Sequence, residues 1–192
     1  MSRIQAVIFD CYSTLIDIKT NEQKSEIFDY LSLYLQYYGA KIDASKLKSA
    51  LELEKEQYFQ PKKEQYPEID LEVIFSNILK NEKLGNPFLA TSCCKLFRVL
   101  SRERFQLFSD SLAVLGKMKK SGYPMAVVSD AQKVFCLEEG EMLGITPFFD
   151  WIVLSTHFGF RKPDSGFLQL PALCSIFHQR RLSTLVMTQK QT

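Results

Sequence analysis

The chain of 192 residues lacks most features that would commit it to a specialised class. Charge of one sign is missing: 24 Lys and Arg stand against 22 Asp and Glu, a formal net charge of +2. No electrostatic field is available for nucleic acid or an anionic membrane, so neither is an expected partner. Cysteine is sparse, with five residues (Cys11, Cys93, Cys94, Cys136 and Cys174), an odd number with no Cys-x-x-Cys spacing. That excludes a disulfide framework and a zinc site of the usual spacing, and predicts buried, reduced thiols. The two histidines, His157 and His178, lack metal-ligand spacing to one another. No run approaches the roughly 18 apolar residues of a membrane span, and the N-terminus carries no apolar leader. The expectation is a soluble, cytoplasmic protein with no membrane partner.

What remains is an ordinary globular composition, 46% hydrophobic and 24% charged, with 15 Phe and 8 Tyr to fill a core. The length allows one domain with a large insertion, or two small domains. Nothing in the sequence indicates an oligomeric state.

The organising stretch is Ala6-Val7-Ile8-Phe9, which ends on Asp10 and continues as Cys11-Tyr12-Ser13-Thr14-Leu15-Ile16-Asp17. The apolar run predicts a buried strand over residues 4–9 with a loop through Asp17, delivering Asp10 to the strand's carboxyl end. From about Asn21 to Phe105 the period changes to that of helices. Ile27, Leu31, Leu35 and Tyr38 form one stripe, stopped by Gly39, and Leu47, Leu51, Leu53 and Tyr58 form another, stopped by Pro61. Asp70 opens a third helix with Ile74, Ile78 and Leu79, and residues 89–100 read as a last one. No segment here alternates as a strand would, so an all-helical insertion of three to five helices is expected.

Strands and helices then alternate. Ser109-Asp110-Ser111 caps a helix through Leu115 and Met118, and Pro124 to Val128 forms a strand ending at Ser129-Asp130. Val134 to Leu143 is a helix, Phe149 to Leu154 a strand, and Gly159 to Asp164 a loop. This order predicts an α/β fold: a Rossmann-like parallel sheet flanked by helices, with right-handed crossovers. The expected domains are a core of residues 1–18 and 106–192 and a helical domain of residues 19–105.

VIFDCYSTLID, MAVVSDAQ and FGFRKPD, in that order and separated by a helical insertion, resemble the first three signature motifs of the haloacid dehalogenase-like hydrolases. The resemblance spans about residues 4–164 and implies that the helical insertion is this family's cap. It also implies that Asp10 is the nucleophile, which forms an aspartyl ester with the transferred group. Ser129, with the backbone N–H groups beyond it, would bind the oxygens of a phosphoryl group, and Lys162 would bring the Asp10 carboxylate and an anionic substrate together. As a helix cap alone, Ser129 would hold the turn near Asp130.

Two departures qualify what the resemblance implies. Family phosphatases carry an acidic proton donor two residues after the nucleophile, where this chain has Tyr12. The dehalogenase branch has Tyr there, since a halide leaves without a proton, but it pairs Ser with Asn where this chain has Ser129-Asp130. The second departure is the absence of any Asp or Glu after Asp164. Family members place there the carboxylates that hold Mg²⁺, leaving only Asp10 and the Tyr12 backbone carbonyl as ligands. One explanation is a slipped reading frame near Ser165. Arg180 to Thr188 can be encoded by nucleotides that in another frame spell Lys-Ala-Leu-Tyr-Val-Gly-Asp-Asp, so residues 166–192 are read as an out-of-frame tail.

The expectation is therefore a hydrolase of a small phosphorylated metabolite, Mg²⁺-dependent by lineage and weak or silent as translated. The alternatives are a metal-free L-2-haloacid dehalogenase-type hydrolase and an inactive, truncated family member.

Overall fold

The computed structural model describes residues 6–59, 65–86 and 88–167 of the chain. Most of the tail, including the segment expected to be out of frame beyond Phe167, lies outside the described residues, as do Cys174 and His178. The chain divides into two compact units, Met1–Asp17 with Gln106–Thr192, and Ile18–Phe105.

The first unit holds a parallel sheet of β1 (Val7–Phe9), β4 (Met125–Ser129) and β5 (Trp151–Leu154), in the order β1-β4-β5. Every residue of β4 is buried, which accounts for its unbroken apolar run: a central parallel strand is covered on both faces. Ile8 pairs with Ala126, and Ser129 with Leu154, so the carboxyl ends of all three strands lie at one edge. α5 (Ser111–Lys120) and α6 (Lys133–Met142) supply the crossovers. Lys119, in the last turn of α5, donates through Nζ to the Phe148 carbonyl at 3.1 Å and pairs with Asp150 at 3.3 Å. Asp150 in turn accepts from the Met125 N–H at 2.9 Å, pinning the start of β4.

Among the described residues the second unit has four helices, α1 (Ser25–Tyr37), α2 (Ala44–Phe59), α3 (Leu71–Asn81) and α4 (Leu89–Ser101). Ile27, Leu31, Leu35, Leu47 and Leu51 of the expected stripes are buried, whereas Tyr38 and Leu53 stand exposed, and in the core Phe97 meets both Phe28 and Phe75 edge-on, at 6.5 and 6.1 Å between ring centres. Asp70 caps α3 by accepting from the Glu72 N–H at 3.0 Å, and Gly39 ends α1 at φ +95°, a conformation that glycine adopts without strain.

The reading of residues 12–17 as loop and 21–105 as free of strands needs correction. β2 (Ile16–Thr20) and β3 (Arg102–Leu107) pair as a two-stranded ribbon, and the boundary between the units falls inside both strands. Arg-Glu-Arg-Phe-Gln-Leu escapes pattern recognition because the ribbon buries neither face fully. Across it Glu103 pairs with Lys19 at 3.0 Å, and with Lys24 just before α1 at 3.2 Å, and both lysines hold its carboxyl below the usual range. Among the described residues no helix is long and apolar enough to cross a membrane.

Candidate active site

Asp10 leaves β1 where the sheet ends, and its two oxygens are treated differently. Oδ1 accepts from the Cys11 backbone N–H at 2.8 Å and lies 3.2 Å from Lys162 Nζ. Oδ2 has no partner among the described residues. A carboxylate anchored through one oxygen and open at the other is pre-oriented for attack through the open one. The chain after it folds back sharply, with the N–H groups of Leu15 and Ile16 donating to the Cys11 carbonyl at 2.9 and 3.0 Å. Ser13 stands at φ +61° within this turn, a left-handed conformation uncommon for residues other than glycine.

Lys162 is held at three points. Its Nζ reaches Asp10 and also donates to the Val128 carbonyl at 3.3 Å, at the end of β4. Its backbone N–H donates to Asp130 Oδ1 at 3.0 Å. Asp130 thus fixes the loop that carries the cation, a role its residue type alone did not reveal. Beyond the lysine, Asp164 accepts from the N–H groups of Gly166 at 2.8 Å and Phe167 at 3.4 Å, capping the helical turn that opens at Ser165.

Ser129 closes β4 and is 1% exposed. It is not the cap of α6, whose N-cap residue is Gln132. The N–H groups past it are less available than the sequence suggests. That of Ala131 donates to Ser155 Oγ at 3.1 Å, and that of Lys133 to Thr156 Oγ1 at 2.9 Å. Thr156 also donates to the Ala131 carbonyl at 2.9 Å. Ser155 and Thr156, both buried directly after β5, therefore shape this loop. The sequence signal is a hydroxyl pair at a strand end, which is easily passed over.

The hydroxyl of Tyr12 does not pair with Asp10 or Lys162. It donates to Glu139 Oε2 at 2.5 Å, on α6. Glu139 is 4% exposed and shares the inward face of that helix with Phe135, Cys136 and Gly140. An acid on an otherwise apolar helix face is the signal that reveals it. Beside it the Cys136 thiol donates to Cys11 Sγ at 3.7 Å.

The donor set is poor for Mg²⁺, which takes about six oxygen ligands in an octahedron. Among the described residues no group of three or more His, Cys, Asp or Glu is placed to hold a metal ion. Asp10 has one oxygen already committed, and no Asp or Glu follows Asp164. The residues described do not fit the ion.

The chain resembles known proteins in fold and in sequence profile. A 2-haloacid dehalogenase from Pseudomonas syringae pv. Tomato DC3000 superposes with a TM-score of 0.60 at 17% identity, over 91% of this chain and 74% of that one. A HAD-superfamily hydrolase from Ehrlichia chaffeensis is 24% identical over 92% of this chain and 74% of its own, with a TM-score of 0.43. A predicted phosphoglycolate phosphatase from Haemophilus somnus 129pt is 14% identical over 93% and 73%, with a TM-score of 0.46. No curated protein matches the chain in sequence. The model of the haloacid dehalogenase-like hydrolases matches residues 7–170, so this chain, with Asp10, Ser129 and Lys162 inside the matched region, belongs to that family.

Proposed function

We propose that the chain hydrolyses a small organic substrate by displacement through Asp10 Oδ2. The observation that carries this reading is the asymmetry of the Asp10 carboxylate, anchored at Oδ1 by Lys162 and the Cys11 N–H and open at Oδ2. Oδ2 attacks the substrate's electrophilic atom, the bond to the leaving group breaks, and an ester forms on Asp10. Water then adds to the ester's carbonyl carbon, releasing the product alcohol and returning the carboxylate. Lys162 stabilises the negative charge on both sides of the displacement.

Of the leaving groups the family handles, halide agrees best with the described residues. It departs without a proton, so the Tyr12 hydroxyl can stay committed to Glu139, and it needs no divalent cation. The substrate class is then a small 2-haloacid. Asp130 in place of an amide adds a carboxylate beside an anionic substrate, and slow turnover is expected from that. Phosphate monoester hydrolysis is the second reading, favoured by Ser129 and Lys162 at the strand ends. Without a fitting Mg²⁺ site and an acid at position 12, its rate should be lower by about 10²–10⁴.

The deciding experiment is a single turnover in ¹⁸O-water with 2-chloropropionate and, separately, p-nitrophenyl phosphate, each with and without EDTA. Halide release indifferent to EDTA, with ¹⁸O entering the Asp10 peptide and no reaction by Asp10→Asn, is the expected result. EDTA-sensitive phosphate release would move the assignment to the phosphatase. Silence with both substrates would leave an inactive family member.

A further inference from the structure

We propose that Cys11 and Cys136 are a modification site, closing to a reversible intramolecular disulfide when the protein meets hydrogen peroxide. The two lie 125 positions apart in sequence, yet their sulfurs are in contact at 3.7 Å, and both are free thiols. Cys11 is 2% exposed and Cys136 4%, so neither sulfur is open to a large reagent or to another chain. A disulfide requires about 2.05 Å between sulfurs, so closure asks for roughly 1.7 Å of approach from residues already facing each other. A small apolar cavity is lined by both cysteines together with Val127, Ile145, Phe149 and Ile152. Thr146, whose buried hydroxyl has no hydrogen-bond partner among the described residues, is another of its lining residues.

The chemistry balances. One sulfur, as thiolate, attacks a peroxide oxygen; the O–O bond breaks, giving a sulfenic acid and hydroxide, which takes up the proton that thiol gave up. The second sulfur displaces the sulfenic oxygen as water and the S–S bond forms. Two thiols and one peroxide become a disulfide and two waters, with two electrons passing from sulfur to oxygen. The hydrogen bond with the neighbouring Cys11 thiol, and then burial, hold the Cys136 thiol well above its usual range, so the first step is slow and calls for sustained oxidant. Once it occurs, the resolving sulfur is in contact, which favours the disulfide over further oxidation.

The bond has a place to act. The Cys11 backbone N–H holds Asp10 Oδ1 at 2.8 Å, and drawing the Cys11 sulfur toward α6 strains that hydrogen bond. Any effect on turnover rests on the Asp10 reading above, whereas the bond and the amide can be read without a substrate.

The test treats the full chain with hydrogen peroxide, alkylates it in guanidine with N-ethylmaleimide and maps it unreduced. A mass lower by about 2 Da before alkylation, three alkylated cysteines instead of five, and a Cys11–Cys136 cross-linked peptide are expected, all reversed by dithiothreitol. Cys136→Ser should give no cross-link, and Cys11→Ser should do the same. Hydrogen exchange at the Cys11 amide should speed up about tenfold in the oxidised protein, a result independent of activity. Sulfinic acid at either position with no cross-link, or a bond to any other cysteine, overturns the proposal. A cross-link with unchanged exchange at Cys11 overturns its link to Asp10.

Discussion

The Tyr12 hydroxyl donates to the buried carboxylate of Glu139, tying the turn after β1 to the second half of α6. Position 12 is where the family's phosphatases keep their proton donor, and here its side chain is spent on packing α6 against that turn. Tyr12→Phe should therefore act on stability first. Removing a donor from a buried carboxylate costs about 1–3 kcal/mol, and the proposed displacement should slow by less than about threefold. Urea unfolding and halide-release kinetics on the same preparation check this. A rate loss of a hundredfold at unchanged stability would mean that the hydroxyl takes part in the chemistry.

Asp130 is a positioning residue for Lys162, acting through the backbone N–H at 3.0 Å. Asp130→Asn keeps an acceptor oxygen and removes a negative charge near the substrate, so turnover should hold or rise. Asp130→Ala loosens the loop, and a lysine displaced by about 1 Å costs on the order of 10² in rate. A steady-state comparison of the two variants reads the difference in kcat. If Asn and Ala fall equally, the charge and not the hydrogen bond is what matters.

Much of this was legible in the sequence because the strands of a parallel sheet write themselves as apolar runs: β4 is buried throughout, whereas β1, expected to be buried, is only half-buried and leaves Ile8 exposed. Val7–Phe9 and Met125–Ser129 end on Asp10 and Ser129-Asp130, which places the site at one sheet edge. The helices between were legible from Ile27, Leu31 and Leu35 and their counterparts, whose spacing is that of one buried face. The ribbon of β2 and β3 was not, since strands half in water carry no period and Glu103 finds its lysines only in three dimensions. Contacts distant in sequence were also hidden, Tyr12 with Glu139 and Cys11 with Cys136, because nothing local marks the partner. The ties of Ala131 and Lys133 to Ser155 and Thr156 belong to the same class, and they reduce the anion-binding capacity expected after Ser129.

The adjacent cysteines of α4 should resist alkylation in the folded protein. Burial pushes the Cys93 thiol up to about 12 and that of Cys94 higher still, with Glu72 adding to the rise. Because the thiolate is the reactive form, folded protein at pH 8 should hold both as thiols and leave them unmodified by iodoacetamide for hours. The sign is fixed by the direction of the shift: raising pH toward 12 creates thiolate only as the helices themselves come under strain. Alkylation mapped by mass spectrometry, native against guanidine-unfolded, tests this. Rapid native labelling of Cys93 would contradict its burial.

Thr146 offers a direct measure of how the interior near Cys136 is packed. Its hydroxyl is buried without a hydrogen-bond partner among the described residues, and a Cβ added to Gly140 would lie 2.9 Å from that oxygen. Leaving a hydroxyl unpaired in apolar surroundings costs roughly 1–3 kcal/mol, and a methyl group of similar size does not incur that cost. Thr146→Val should therefore stabilise the protein by about 1 kcal/mol, whereas Gly140→Ala should destabilise it by about 1–3 kcal/mol through overpacking. In the double variant the two effects should not add, since both act on the same few atoms. Equilibrium unfolding of the three proteins gives the coupling. Destabilisation by Thr146→Val would show that the hydroxyl has a partner outside the described residues.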